Sequence, residues 1–289
     1  MPNTIALAKN YTSLLDEVYQ NASVTSDLTS DGTMSKAGAN ANEIVYPQIS
    51  VTGLGDYDRN SGYTTGAVKL EWKTVAFNYD RGTKISVDVM DDEESRNLAF
   101  GMAGATLQRE KVAPEADAFT FATLAGLENI SKATGELTGA EAILAALLEA
   151  KSKMDEDQVP GEQRYLYATP TLLNSVMALD TTKSREILGT FAKKIAVPQA
   201  RFYTAIELLD GKTAGEELGH YKKSDTGADI NFMIIHKPAI IKFDKHIASN
   251  IIPAEMNADA DADICKYRKY GLVDAYANKR AGIYLHSKA

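Results

Sequence analysis

The 289-residue chain contains a single cysteine, Cys265. A lone thiol excludes an intrachain disulfide and a thiolate cluster for zinc within one chain, and its expected place is half buried in a strand. Positive charge is also short, with 31 Lys and Arg against 39 Asp and Glu and a formal net charge of -8. Such a balance repels nucleic acid phosphates, which suits the wall of a container better than a binding groove. No apolar run approaches the ~20 residues of a membrane-spanning helix. The N-terminus lacks the basic, apolar and small-residue segments of a secretory leader. The expectation is a chain made in a cytoplasm, with no membrane partner.

Signatures of chemistry are missing as well. His220, His236, His246 and His286 never fall at helix-face metal spacing, and no Gly-x-Ser-x-Gly elbow occurs. Asp210-Gly211-Lys212-Thr213 has Ile206 where a phosphate-binding loop needs glycine, and Gly53-Leu54-Gly55 is followed by Asp58 where a dinucleotide fingerprint needs one. The acidic alternation Asn257, Asp259, Asp261, Asp263 fails as a calcium loop: counted from Asp259, Ile264 replaces the required glycine and Tyr270 the required glutamate. It reads as a solvated acidic turn. Catalytic, cofactor and metal residues are therefore assigned to none, and the chain is read as not an enzyme.

What is present is an ordinary globular composition, 44% apolar and 24% charged, and a long ribbon. Strand formers over 44–54 face a second run in which Val68, Leu70 and Trp72 share one phase while Val75, Phe77 and Tyr79 share the other. The phase change near Lys73 and Thr74 predicts a bulge. Gly53, Gly55, Gly62 and Gly66 punctuate the segment between, which reads as the mobile end of a hairpin. A two-stranded arm is marginal alone in water. Another surface has to complete it, so the ribbon leans toward an assembling protein.

Around the ribbon the pattern is mixed. Residues 4–21 carry helical spacing and 23–42 form a polar arm. Asp80-Arg81-Gly82 predicts a tight turn before a strand through Ile85, Val87 and Val89. Asp91-Asp92-Glu93-Glu94 suits a helix N-terminus, and helical composition continues to about residue 126 with Pro114 set to kink or interrupt it. Thr138-Gly139-Ala140-Glu141 fits a capping box, 165–168 a buried strand, Thr169-Pro170 a helix start and 211–229 a loop. Strands close the chain at 231–235, 239–243, 264–275 and 282–286. The arrangement is an α/β module inserted into a second layer.

Four segments together resemble the major capsid proteins of tailed bacteriophages, whose shell fold is shared with encapsulin nanocompartments. They are the arm leading into Glu43-Ile44-Val45-Tyr46-Pro47, the ribbon with Ile85-Ser86-Val87-Asp88 and the acidic run, the stretch Lys111-Val112-Ala113-Pro114-Glu115-Ala116-Asp117, and the closing strands with Arg268-Lys269-Tyr270-Gly271 and Asn278-Lys279-Arg280. Their order carries the likeness. The resemblance implies an α+β shell fold: an N-terminal arm (1–42), an extended loop (43–79), a peripheral domain with a long spine helix (80–137 and 230–289) and an axial α/β domain (138–229). It further implies a structural subunit of an icosahedral head, assembled in a host bacterial cytoplasm into pentamers and hexamers and enclosing double-stranded DNA without sequence-specific binding. The chain opens almost directly on the arm, so scaffolding is expected from a separate protein or from a prefix already removed by cleavage, and a separate portal protein is a further expected partner. Inter-subunit contacts are expected at Gly53, Gly55, Tyr57, Arg59, Gly62, Trp72 and Arg81. An encapsulin-like shell is the alternative within the fold, and the polar arm favours the phage head. A soluble α/β enzyme with a dispersed site is the alternative outside it.

Overall fold

Runs of Val, Ile, Tyr and Phe separated by Gly, Pro and Asp build strands, and Ala- and Leu-rich stretches build the helices between them. In the computed structural model, residues 23–30, 36–37, 43–94 and 104–289 are described. The helix expected over 4–21, most of the expected arm and the 95–103 portion of the expected long helix lie outside the described residues. In chain order the elements are β1 (Lys36–Ala37), β2 (Glu43–Val51), β3 (Val68–Ala76), β4 (Tyr79–Asp88), α1 (Val89–Glu94), α2 (Ala113–Gly126), β5 (Ser131–Thr134), α3 (Ala140–Glu156), β6 (Arg164–Ala168), α4 (Pro170–Ala178), α5 (Thr182–Gly189), β7 (Lys193–Ala196), β8 (Ile206–Leu208), β9 (Tyr221–Lys223), β10 (Ile230–His236), β11 (Ile240–Ile252), β12 (Ala262–Ala275) and β13 (Ile283–Ser287).

The central sheet runs β5-β13-β10-β6-β7, with β10 antiparallel to both its neighbours. It is covered on both faces, which is why β10 reads as a continuous apolar run instead of an alternation. Met233 and Ile235 pack toward α2 with Phe121 and Leu124. Phe232 and Ile234 point the other way, into Leu147, Leu173 and Ile187 from α3, α4 and α5. Each such side chain, once fully buried, stabilises the fold by about 1.5–3 kcal/mol. The sheet joins strands from inside 138–229 to strands from the chain's end.

A second, antiparallel sheet orders β11-β12-β4. Asp80-Arg81-Gly82 does not turn: these residues lie within β4, paired with Tyr270, Lys269 and Arg268. Gly82 is there for proximity, since a Cβ would come 2.8 Å from the Tyr267 carbonyl oxygen. The direction change falls instead at Phe77 and Asn78, where the chain leaves one sheet for the next. Cys265 is buried in β12, and burial pushes its thiol up.

Pro114 does interrupt the helix, in a specific way. Gln108–Val112 is one π-helical turn that runs into α2 with helical dihedrals at Val112 (φ -68, ψ -48). Proline has no N–H and its ring crowds the carbonyl four residues back, and a wider turn relieves both problems. The expected capping box at Thr138 is absent. Gly139, at φ 88, is the N-cap of α3 without a side-chain hydrogen bond, whereas Thr181 and Ser184 form a capping box on α5.

The described part of the arm is built into the core. Leu28 is fully buried in the cluster under α2. Beside it, the buried Asp117 carboxylate accepts five hydrogen bonds: from Ser23 Oγ (2.7 Å), Thr25 N (3.2 Å), Thr25 Oγ1 (2.7 Å), Val24 N (3.1 Å) and Arg201 Nη1 (3.1 Å). Lys242 Nζ donates to the Thr25 carbonyl at 2.9 Å, and burial pulls its ammonium down to about 8. A buried carboxylate persists only when paired and hydrogen-bonded in this way.

Candidate functional site

The ribbon pairs β2 with β3 in one unbroken register, from Glu43 opposite Ala76 to Val51 opposite Val68. No bulge interrupts it, so the phase change expected to mark one has another cause. Because side chains alternate, Pro47, Ile49 and Val51 share a face with Val68, Leu70 and Trp72, while Ile44, Tyr46, Gln48 and Ser50 share the opposite face with Lys69, Glu71, Lys73 and Val75. The second face rests at its root on the molecule's own core, where Ile44 and Tyr46 pack with Ile241, Leu272 and Phe243. Farther out that face turns to charge: Glu71 is held between Lys69 and Lys73. Both hydrogen bonds lower its carboxyl below the usual range.

Along its outer half the first face is apolar and largely exposed to solvent. Ile49, Val51, Val68, Leu70 and Trp72 are each half exposed or more. Apolar residues thus change phase along β3 because its root faces the molecule's own core and its outer half presents the other side to solvent. A contiguous exposed stripe of this kind marks an interaction surface.

The tip is organised by its own polar groups. Asp58 and Gly62 exchange backbone hydrogen bonds (3.2 and 2.7 Å), and Asp58 Oδ1 accepts from the N–H groups of Asn60 (2.6 Å) and Ser61 (3.2 Å), which hold its carboxyl low. Tyr57 and Tyr63 stack edge to face, 4.8 Å between centroids. Gly62 has φ 79, a left-handed conformation that a β-branched residue resists. A Cβ at Gly55 would collide with the Thr64 side chain, whereas one at Gly53 meets open space. Gly53, Gly55, Tyr57, Arg59, Gly62 and Trp72 are thereby gathered on a single projection.

Arg81 stands apart, at the ribbon's root. Its Nε donates to Glu115 Oε1 at 2.7 Å and its Nη2 to the carbonyls of Leu209 (2.7 Å) and His220 (3.2 Å). Tyr79 Oη donates to the same Glu115 oxygen at 3.1 Å, and His220 Nδ1 lies 3.6 Å from Oε2. Burial pushes the Glu115 carboxyl up, but the nearby His220 ring and the hydrogen bonds from Arg81 and Tyr79 outweigh it and leave the group below its ordinary value. One guanidinium thus ties β4 to the first turn of α2 and to the loop after β8. An open cavity of about 370 Å³ lies beside this node, between β4, the π turn and the 209–220 loop.

Glu115 and Asp117 belong to the stretch quoted for the family resemblance, but pattern reading gave neither a role as a node of the fold. Two carboxylates in an Ala-rich helical stretch, Ala113-Pro114-Glu115-Ala116-Asp117-Ala118, were a signal that each would need a buried partner. The four histidines are dispersed, and among the described residues no three His, Cys, Asp or Glu side chains gather to hold a metal ion.

No family model and no curated protein matches this sequence. Solved structures do match in fold. A chain from the capsid of the cyanophage P-SCSP1u superposes with a TM-score of 0.62 at 14% identity, covering 93% of this chain and 88% of that one. A chain from the mature capsid of bacteriophage PhiM1 gives 0.56 at 12% identity, covering 86% and 82%. A virus-like particle from Pyrococcus furiosus gives 0.58 at 9% identity, covering 95% and 96%. The mixed α and β architecture of this chain is therefore that of capsid-shell subunits, over nearly the full length of both partners.

Proposed function

We propose that this chain is the major capsid subunit of a tailed-phage head, a structural protein and not an enzyme, which self-assembles into a closed icosahedral shell around double-stranded DNA. The observation that carries the reading is the exposed apolar face of the β2–β3 ribbon on a chain with a capsid-shell fold. Repeated head-to-tail contacts between identical subunits close into rings, here pentamers and hexamers, when the rotation closes. Many weak contacts of this kind sum to a rigid shell. Net acidity keeps the packaged genome from adhering to the wall.

In this reading residues 1–42 form the arm, 43–79 the extended loop, 80–137 with 230–289 the peripheral domain and 138–229 the axial domain. Gly53, Gly55, Tyr57, Arg59, Gly62 and Trp72 serve contacts between subunits. Arg81, whose donors are engaged inside its own chain, braces the root of the loop. Scaffolding and portal proteins act as separate partners in the host bacterial cytoplasm, and the mature location is the virion.

Expression of the chain alone or with a scaffolding partner, followed by size-exclusion chromatography and negative-stain microscopy, tests the proposal. Rings or shells are expected. A compact monomer at every concentration and with every partner sinks it. Nuclease-protected DNA in particles from infected cells supports the phage head, and packaged protein in its place supports the encapsulin-like alternative.

A further inference from the structure

Residues 23–30 fasten to β11 at one position. Ser30 N donates to the Lys242 carbonyl (2.9 Å) and Lys242 N to Ser30 Oγ (3.2 Å), while the buried Lys242 side chain reaches Thr25 on the same segment. Its Nζ donates to the Thr25 carbonyl at 2.9 Å and to Thr25 Oγ1 at 2.5 Å. That hydroxyl in turn donates to Asp117 Oδ1 at 2.7 Å. Amine and carboxylate therefore meet through a side chain that belongs to the segment itself.

The charged groups facing this amine have other partners. Asp117, from α2, is paired with Arg201 at 3.1 Å, and Asp244, from β11, with Lys269 of β12 at 3.2 Å. Tyr79, from β4, lines the same small hollow and donates its hydroxyl to Glu115. Within the segment, Asp27 pairs with Lys193 at 2.6 Å. Asp117 and Asp244 thus stand against Arg201, Lys269 and Lys242, and Lys242 is the cation of the three that makes no ion pair with a described carboxylate. Burial disfavours a charge held in this way, and exposure to water restores it.

We infer that residues 23–30 form a proton-linked latch: closing the segment over the Lys242 side chain drives a proton off the amine, and lifting it takes one up. The bonds to Thr25 survive the loss of the proton, because a neutral amine still has N–H groups to donate. Lifting the segment removes both Thr25 acceptors and admits water, so the open form binds a proton that the closed form has begun to lose. Burial above all, assisted by Lys269 and opposed by Asp117, pulls the closed amine down to about 8 from its ordinary 10.5. Opening is therefore favoured below pH 8 and suppressed as the pH rises from there toward the open value. The latch is a property of one chain's own fold and goes beyond the shell reading without resting on it.

Hydrogen exchange read by mass spectrometry on the unassembled or assembled chain tests it, with each rate divided by the chemical exchange rate at that pH. Between pH 7 and pH 9 the opening of 23–30 is expected to fall about tenfold, the ratio that amines titrating at 8 and 10.5 impose. Amides of the outer ribbon, 48–51 and 68–70, open without uncovering Lys242 and should show no such change. Lys242→Met removes the titrating group and is expected to flatten the profile of 23–30, and Lys242→Arg, which stays charged and keeps its donors, should flatten it with greater opening throughout. Lys269→Met is expected to keep the pH dependence. A wild-type profile for 23–30 that is flat, or that changes in step with the ribbon, overturns the latch whatever the variants do. So does a tenfold change that persists in Lys242→Met or vanishes only in Lys269→Met. Shells are not needed for any of these measurements, so a failure to assemble bears on the capsid reading alone.

Discussion

β10 and β3 are made of the same kind of residue and have opposite fates. Ile230–His236 buries every side chain, whereas Val68–Ala76, with Val68, Leu70, Trp72 and Val75, buries none fully. The difference lies in what flanks each strand. β10 has hydrogen-bonded neighbours on both edges and helices over both faces. β3 has β2 on one edge, and only the root of one face touches the core. Apolar strand content thus reports that a surface has to be covered. It does not report whether the cover comes from the same chain.

The sharpest way to break the comparison is to place one charge on each strand. Ile234→Asp buries an unpaired carboxylate between the sheet and α3–α5, and a loss of several kcal/mol is expected, enough to abolish a cooperative thermal transition. Leu70→Asp is expected to melt within about 0.5 kcal/mol of wild type, as exposed sites do, and to abolish assembly. Thermal circular dichroism with light scattering reads both. Equal destabilisation by the two substitutions would erase the distinction between a covered strand and one awaiting cover.

Next in size is the Asp117 hub. Asp117→Ala leaves Arg201 and the donors of residues 23–25 without their acceptor, a change expected to cost about 3–5 kcal/mol. Limited proteolysis should then cut within 23–30 faster than in the wild type, where these hydrogen bonds hold the segment. Unchanged protection would show that the arm is held by Leu28 packing alone.

The Glu115 node should respond to acid. Its carboxyl lies below the ordinary 4.5 in the folded chain, so the node's contribution is present in full above about pH 4.5 and drains away as pH falls through the folded value. Glu115→Gln is expected to cost about 1–3 kcal/mol at neutral pH and to flatten the fall in melting temperature on the acid side. An identical acid limb in the variant would place the acid sensitivity at other carboxylates.

The smallest effects separate glycines on the ribbon. Gly62→Val has to hold φ 79 and should cost about 1–2 kcal/mol locally, visible as weakened assembly with an unchanged global melt. Gly53→Val is free of strain within its own chain and should impair assembly less than Gly62→Val does. Equal behaviour of the two would mean that the tip conformation does not matter for contact.

Much of this fold was legible in the residues, and the misreadings share a form. The closing strands, the Thr169-Pro170 helix start and the hairpin itself all follow local rules, so local pattern located them. The bulge at Lys73 and the turn at Asp80-Arg81-Gly82 were local explanations for long-range facts. In the first case the phase of β3 changes because its neighbours change along its length. In the second, Gly82 is required by a carbonyl on β12, far away in sequence. Of the residues expected at contacts, six lie together on the projection. Arg81 turned inward because Glu115 and two loop carbonyls, invisible in sequence, were waiting for its donors.

By itself the sequence determined that the chain folds into mixed α and β layers and that it carries a long hairpin. Only the tertiary structure decided which side of that hairpin is left open, where the arm is pinned and that Arg81 turns inward onto Glu115. The physical reason is that alternation distinguishes two faces without saying which one meets the core, and buried charges choose their partners across distances in sequence that no local pattern records.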